Sequence, residues 1–99
     1  METENKKILS IIIPTYNAAK CLDKGLSSFI IDDNSLLNML DIIVVNDGST
    51  DNSVEIAQKY VNKYPDVYPI LNKENGGHGS AINEGVKIAN GSYLKVVDA

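Results

Sequence analysis

Four apolar runs in this chain each end in a polar cluster, and that repeated polarity constrains the fold more than any other feature. Ile8-Leu9-Ser10-Ile11-Ile12-Ile13 leads into Pro14-Thr15-Tyr16-Asn17. Ile42-Ile43-Val44-Val45 leads into Asn46-Asp47-Gly48-Ser49-Thr50-Asp51. Val67-Tyr68-Pro69-Ile70-Leu71 leads into a glycine-rich stretch from Asn72 to Gly79, and a run from Ser92 to Val97 delivers Asp98. The β-branched, nearly continuous first run suits a strand buried on both faces, as parallel sheets require. Polar groups at the same end of every strand describe one rim of a parallel sheet, the place where open α/β folds bind ligands.

Helical patterns separate the runs. Leu22, Leu26, Phe29 and Ile30 make one apolar stripe, so a first helix is expected from about Ala18 to Ile31, with Asp32-Asp33-Asn34-Ser35 as its breaker and a short helical turn from Leu36 to Leu40. A second helix follows the capping candidates Ser49, Thr50, Asp51 and Asn52 and runs to about Lys63. Its buried face is expected at Val54, Ala57, Val61 and Tyr64, and Pro65 stops it. Pro69 has no N–H to give a ladder, which places the third strand at a sheet edge. A third helix is expected from about Ser80 to Ala89, with Ile82, Val86 and Ala89 as its apolar stripe. Ala81, Gly85 and Ala89 form a second stripe of small residues that permits close backbone approach. Asn90-Gly91 ends it. The order β-α-β-α-β-α-β with short connections and right-handed crossovers gives a Rossmann-like, three-layer α/β/α arrangement around a four-stranded, mainly parallel sheet. Residues 1–7 read as a polar tail and residues 8–99 as the domain.

The composition excludes several roles. Ninety-nine residues, 43% of them hydrophobic, make at most one domain with a modest core. A net charge of −4 argues against a nucleic-acid partner, which needs a basic footprint. All nine basic residues are lysines, so no bidentate arginine clamp on a phosphate is available. The single Cys21 reads as a reduced thiol on a helix, without the partners for a disulfide or a zinc site. The run Ile8–Ile13 is too short for a signal sequence or a membrane span, so the segment reads as cytoplasmic; an association with the inner face of the membrane would have to come from elsewhere in a longer protein.

The rim supplies the candidate site. Asp47 stands at a strand tip before Gly48, where its carboxylate can accept hydrogen bonds from a ribose hydroxyl or a base N–H; Ser49 and Asp51 are explained by turn and cap geometry. Tyr16 offers a flat ring to pack on a base, or else simply covers the helix start. Asn75-Gly76-Gly77-His78-Gly79 precedes a helix and can cradle an anion with backbone N–H groups, a plain tight loop being the rival reading. Lys73 lies at the right strand end to approach a nucleotide. His78, the lone histidine, reads as a solvated loop side chain, and Asn83 and Glu84 as structural or exposed. Asp98 can bind a ribose hydroxyl or contribute one hard oxygen to Mg²⁺ or Mn²⁺.

Taken together, the segments Ser10–Asn17, Val44–Ser53 and Glu74–Gly77, continuing through Ala81, Asn83, Gly85, Ala89, Gly91 and Tyr93, resemble the N-terminal portion of family 2 glycosyltransferases with the GT-A fold. Val97-Asp98-Ala99 looks like the opening of that family's Asp-x-Asp element, so the chain is expected to be truncated inside it. The resemblance implies a nucleotide-diphosphate-sugar donor, a UDP-sugar favoured, and a divalent cation, Mg²⁺ or Mn²⁺, in the intact enzyme. Thr15 and Tyr16 would line the base pocket, Asp47 would contact the base with Lys73 near it, and Gly77 and Asp98 would complete the donor site, Asp98 on the ribose or metal side. It implies transfer of the sugar to an acceptor hydroxyl, in cell-surface polysaccharide or glycolipid synthesis, with no catalytic residue within the fragment. Two other classes stay open. A nucleotidyltransferase would show a glycine-rich basic loop after the first strand, where Pro14-Thr15-Tyr16-Asn17 stands; a flavodoxin-like binding module would carry acidic residues there. An uncovered fourth strand is expected to favour self-association through the sheet edge.

Overall fold

Each apolar run pairs in parallel with its neighbour in the computed structural model, which describes residues 7–98. The elements are β1 (Lys7–Thr15), α1 (Ala19–Ser27), α2 (Asn34–Leu37), β2 (Leu40–Asp47), α3 (Ser53–Lys63), β3 (Ile70–Lys73), α4 (His78–Ile88) and β4 (Gly91–Val96). The sheet order is β3-β2-β1-β4, every pair parallel. Strand periodicity sorts the side chains onto two faces. Ile11, Ile13, Ile42 and Val44 pack with Leu22 and Leu26 of α1, Leu37 of α2 and Ala57 of α3. Ile12, Ile43 and Val45 face the other way and meet Ala81 of α4. The three layers expected from the sequence are present, with the larger core on the α1/α3 side.

Register brings the polar ends level. Thr15 pairs with Asn46, Asp47 with Lys73, and Ile12 with Val96, so the residues after β1, β2 and β4 reach one rim. β3 is an edge strand, as Pro69 demands, but its ladder begins at Ile70 and extends to Lys73 rather than spanning Val67 to Leu71. Val67 and Pro69 still contribute through their carbonyls, which accept from the N–H groups of Ile42 and Val44 at 2.7 and 2.9 Å. A proline that only accepts costs this edge nothing.

Other boundaries differ for local reasons. The first helix stops at Ser27, not Ile31, because Ser27 and Ser28 turn their hydroxyls back on the carbonyls of Lys24 and Gly25. The turn expected at Leu36–Leu40 comes earlier: Asp33 accepts from the N–H groups of Ser35 and Leu36, capping α2, and Leu40 already belongs to β2. Lys7 lies in β1 rather than in a tail, and its ammonium donates to the carbonyls of Asn38 and Asp66. On α3 the core side includes Ile56 and Tyr60 with Ala57, Val61 and Tyr64, while Val54 is not part of it.

The third helical segment carries two expected stripes, and only one of them packs inward. It begins at His78, and its small-residue stripe, not its apolar one, meets the sheet: Ala81 and Gly85 are buried, whereas Val86 is exposed. A Cβ on Gly85 would lie 2.7 Å from Cγ2 of Ile12 and 3.1 Å from Cγ2 of Val45. The missing side chain lets α4 sit close against β1 and β2, which carries its first turn to the rim. At the opposite end of the sheet, buried Asp41 accepts from the Ser10 hydroxyl and the Asn90 N–H, both at 3.1 Å, and Ser10 accepts from the Gly91 N–H at 2.7 Å. These bonds satisfy a buried carboxylate and tie the entry of β4 to the core. Along its outer side β4 has no strand partner among the described residues, and Tyr93, Leu94 and Val96 are exposed.

Gly85→Val forces a branched side chain into Ile12 and Val45. Overpacking of that kind lowers stability by about 1–3 kcal/mol, read as a reduced midpoint in urea unfolding.

Candidate donor-binding cleft

Two βα turns are laced together before any ligand is considered. Asn17, just past β1, has φ +49°, a left-handed conformation that asparagine tolerates better than most residues. In that pose its side-chain oxygen accepts from the N–H groups of Thr50 and Asp51 at 2.7 and 3.3 Å, and its own N–H donates to Ser49 Oγ at 3.0 Å. Asp51 accepts from the Ser53 hydroxyl and N–H and from the Ala19 N–H, while Ser53 Oγ accepts from the Ala18 N–H. The Ser53 hydroxyl, then the Ser53 and Ala19 N–H groups, hold the Asp51 carboxyl below its ordinary value against the opposing effect of desolvation. One carboxylate and one serine thus serve the N-termini of both α1 and α3.

Asp47 organises the third turn. Its side chain is only 5% exposed, and Oδ1 accepts from Lys73 Nζ at 2.5 Å and from the Gly76 N–H at 2.9 Å. Oδ2 accepts from the Gly77 N–H at 2.9 Å. The loop expected to cradle an anion does so, and the anion is the protein's own Asp47 carboxylate. Two glycines make this possible. Gly77 has φ +97°, and Gly48 has φ +74° where a Cβ would fall 2.8 Å from the Asn75 nitrogen. The Lys73 hydrogen bond first, then the Gly76 and Gly77 N–H groups, keep the Asp47 carboxyl below its ordinary value of 3.8, overcoming the upward push of burial.

These turns enclose a cleft of about 450 Å³ lined by Pro14, Thr15, Tyr16 and Ala18, by Asp47, by Asn75, Gly77, His78 and Ala81, and by Asp98. Thr15, Tyr16, Asp47, Gly77 and Asp98 therefore come together as the sequence suggested. Thr15 is a floor residue, 1% exposed, with its hydroxyl donating to the Ile13 carbonyl at 3.0 Å. Tyr16 is 54% exposed, its ring available at the mouth. Lys73 is not in the lining; it stands behind Asp47 and also donates to the Glu74 carbonyl at 2.6 Å. His78, read from the sequence as a solvated side chain, is exposed but lines the cleft, with Nε2 3.4 Å from Asp98 Oδ1. Glu84 pairs with Lys87 on the outer side of α4, and Asn83 is exposed. Sequence reasoning gave Asn17 no role of its own; its place two residues past β1, inside the polar cluster, was the available signal.

Asp98 offers one hard oxygen, and among the described residues no group of three or more His, Cys, Asp or Glu side chains is placed to hold a metal ion. One carboxylate beside an imidazole does not amount to the oxygen shell that Mg²⁺ or Mn²⁺ requires. Among the described residues no helix is long and apolar enough to cross a membrane.

The family model for glycosyl transferase family 2 matches residues 10–99. The chain belongs to glycosyl transferase family 2. An uncharacterized glycosyltransferase of Escherichia coli (strain K12), YibD, is 44% identical over 99 residues, all of this chain and 27% of YibD. The chondroitin synthase of Pasteurella multocida (strain Pm70) is 38% identical over 96 residues, 93% of this chain and 9% of the synthase. S. aureus TarS 1-349 in complex with UDP-GlcNAc matches with a TM-score of 0.76 at 30% identity, over 92% of this chain and 26% of the TarS chain. This family 2 chain thus spans 27% of YibD and has the α/β architecture of the GT-A glycosyltransferases. The nucleotidyltransferase and flavodoxin-like alternatives are set aside by that membership.

Asp47→Ala strips three donors of their acceptor and lowers stability by about 1–3 kcal/mol in urea unfolding. The sign of its pH dependence follows from the depressed carboxyl. The stabilisation is present above the unfolded-state value and is lost as pH falls through the lower, folded one. Stability of the native chain therefore declines on acidification with a component that the alanine variant lacks.

Proposed function

We propose that this chain is the donor-binding part of a glycosyltransferase that moves a sugar from a nucleotide-diphosphate-sugar to an acceptor hydroxyl. The observation that carries the reading is convergence: Tyr16, Asp47, Gly77 and Asp98 leave β1, β2, the loop before α4 and the end of β4, and all line one cleft. In this reading the Tyr16 ring packs on the base, Asp47 accepts a base N–H, and Thr15 supports the floor. Asp98 faces the ribose and diphosphate and would give one ligand to an accompanying Mg²⁺ or Mn²⁺. A UDP-sugar is the favoured donor, supported by the UDP-GlcNAc complex of the similar TarS chain. The likeness to a chondroitin synthase supports a role in polysaccharide or glycolipid assembly. Cytoplasmic placement and pairing of copies through the exposed β4 edge belong to the same proposal.

Calorimetric titration with UDP and UDP-GlcNAc, with and without Mn²⁺, tests the reading; a folded chain that binds neither refutes it. Tyr16→Ala should weaken UDP binding by about 1–3 kcal/mol, the usual worth of an aromatic ring stacked on a base, without changing the far-ultraviolet circular dichroism.

A further inference from the structure

Lys73 is the one candidate that the cleft leaves out, and its position bears on which base the cleft accepts. A carboxylate offers about four acceptor sites, two on each oxygen. On Asp47, Oδ1 is filled by the Lys73 ammonium at 2.5 Å and the Gly76 N–H at 2.9 Å. Oδ2 already holds the Gly77 N–H at 2.9 Å. One site remains, on Oδ2, and Asp47 lines the cleft.

We infer that Lys73 is a positioning residue that sets base specificity: by filling Oδ1 of Asp47 it leaves a single acceptor for the donor's base, so the cleft takes uracil or thymine and refuses guanine. The inference rests on the donor-binding reading. Uracil and thymine present one ring N–H between two carbonyls. Guanine presents a ring N–H and an adjacent amino group, a pair that needs both oxygens of one carboxylate. With Oδ1 full, one guanine donor goes unpaired, and the Gly76 and Gly77 N–H groups, already spent on Asp47, offer its carbonyl nothing in return. An unpaired buried donor of that kind weakens binding by about tenfold or more. Lys73 also neutralises Asp47 and holds it ionised. The other titratable groups lining the cleft are Tyr16 after β1, His78 at the start of α4 and Asp98 after β4, and none of them bonds to Asp47.

The experiment is calorimetric titration of the chain with UDP, dTDP and GDP from neutral to acidic pH, for the native sequence, Lys73→Met and Lys73→Arg, with circular dichroism on each to establish folding. The native chain should bind UDP and dTDP about tenfold or more tighter than GDP. Lys73→Met frees a site on Oδ1, so the UDP-to-GDP preference should collapse toward equality, and UDP binding should be lost at a higher pH than in the native chain. Lys73→Arg keeps a positive charge beside Asp47 and should keep the native pH edge, whereas its fork can also cover the free site on Oδ2 and weaken UDP binding. A native chain that binds GDP as tightly as UDP overturns the inference while leaving the donor-binding reading intact. So does a folded Lys73→Met that weakens all three nucleotides equally with no movement of the pH edge, the behaviour of a lysine that touches the ligand itself. Should Lys73→Met fail to fold, the native preference for UDP and dTDP over GDP decides the matter, and its absence overturns the inference. A native chain that binds none of the three nucleotides overturns the donor-binding reading, and the inference falls with it.

Discussion

The carboxylate of Asp47 holds the functional end of this molecule together. It sits at the tip of a buried strand, takes its countercharge from Lys73 one strand over, and orders the two glycines that lead into α4. A buried charge is tolerated only when it is paired and hydrogen-bonded, and here the partners that make it tolerable also build the wall of the cleft. Removing the partners would leave a stranded anion; removing the anion would leave a loop with no reason for its conformation.

The position of that wall depends in turn on packing further down. Gly85 lets α4 press onto Ile12 and Val45, and the helix carries His78 and Ala81 to the rim. The larger core on the other face, with Leu22, Leu26 and Ala57 against Ile11, Ile13, Ile42 and Val44, fixes α1 and α3 below the turns that follow β1 and β2. The site is thus a product of two differently built faces, one packed with large side chains and one allowing a near approach of backbone to sheet.

Much of this was legible in the residues. Apolar runs with polar ends gave the strand directions and the rim, and Pro69 gave an edge. Tyr16, Asp47, Gly77 and Asp98 were identifiable because each stands at or just past a strand end or opens a helix. What periodicity could not supply was the outcome of competition between similar signals. Ile82 and Val86 made the more hydrophobic stripe on α4, yet Ala81 and Gly85 face the sheet, because closeness of approach outweighed side-chain hydrophobicity there. The serine hydroxyls that shorten α1 compete with the helix by local bonds that an apolar pattern does not register. Lys73 was placed near the base by strand position and by the family resemblance; that it would face away, toward a carboxylate, depends on the β2–β3 register, which places it beside Asp47.

Asn17 has a consequence for how the cleft is braced. By accepting from Thr50 and Asp51 while its own amide reaches Ser49, it welds the first two crossovers into a single rigid jaw. The opposing jaw, from Glu74 to Gly77, is held by the Asp47 carboxylate and by Lys73, which donates to the Glu74 carbonyl. Bonding between neighbouring turns is thus spread over Asn17, Asp51 and Ser53 on the first side of the cleft, whereas on the second it converges on the Asp47–Lys73 pair.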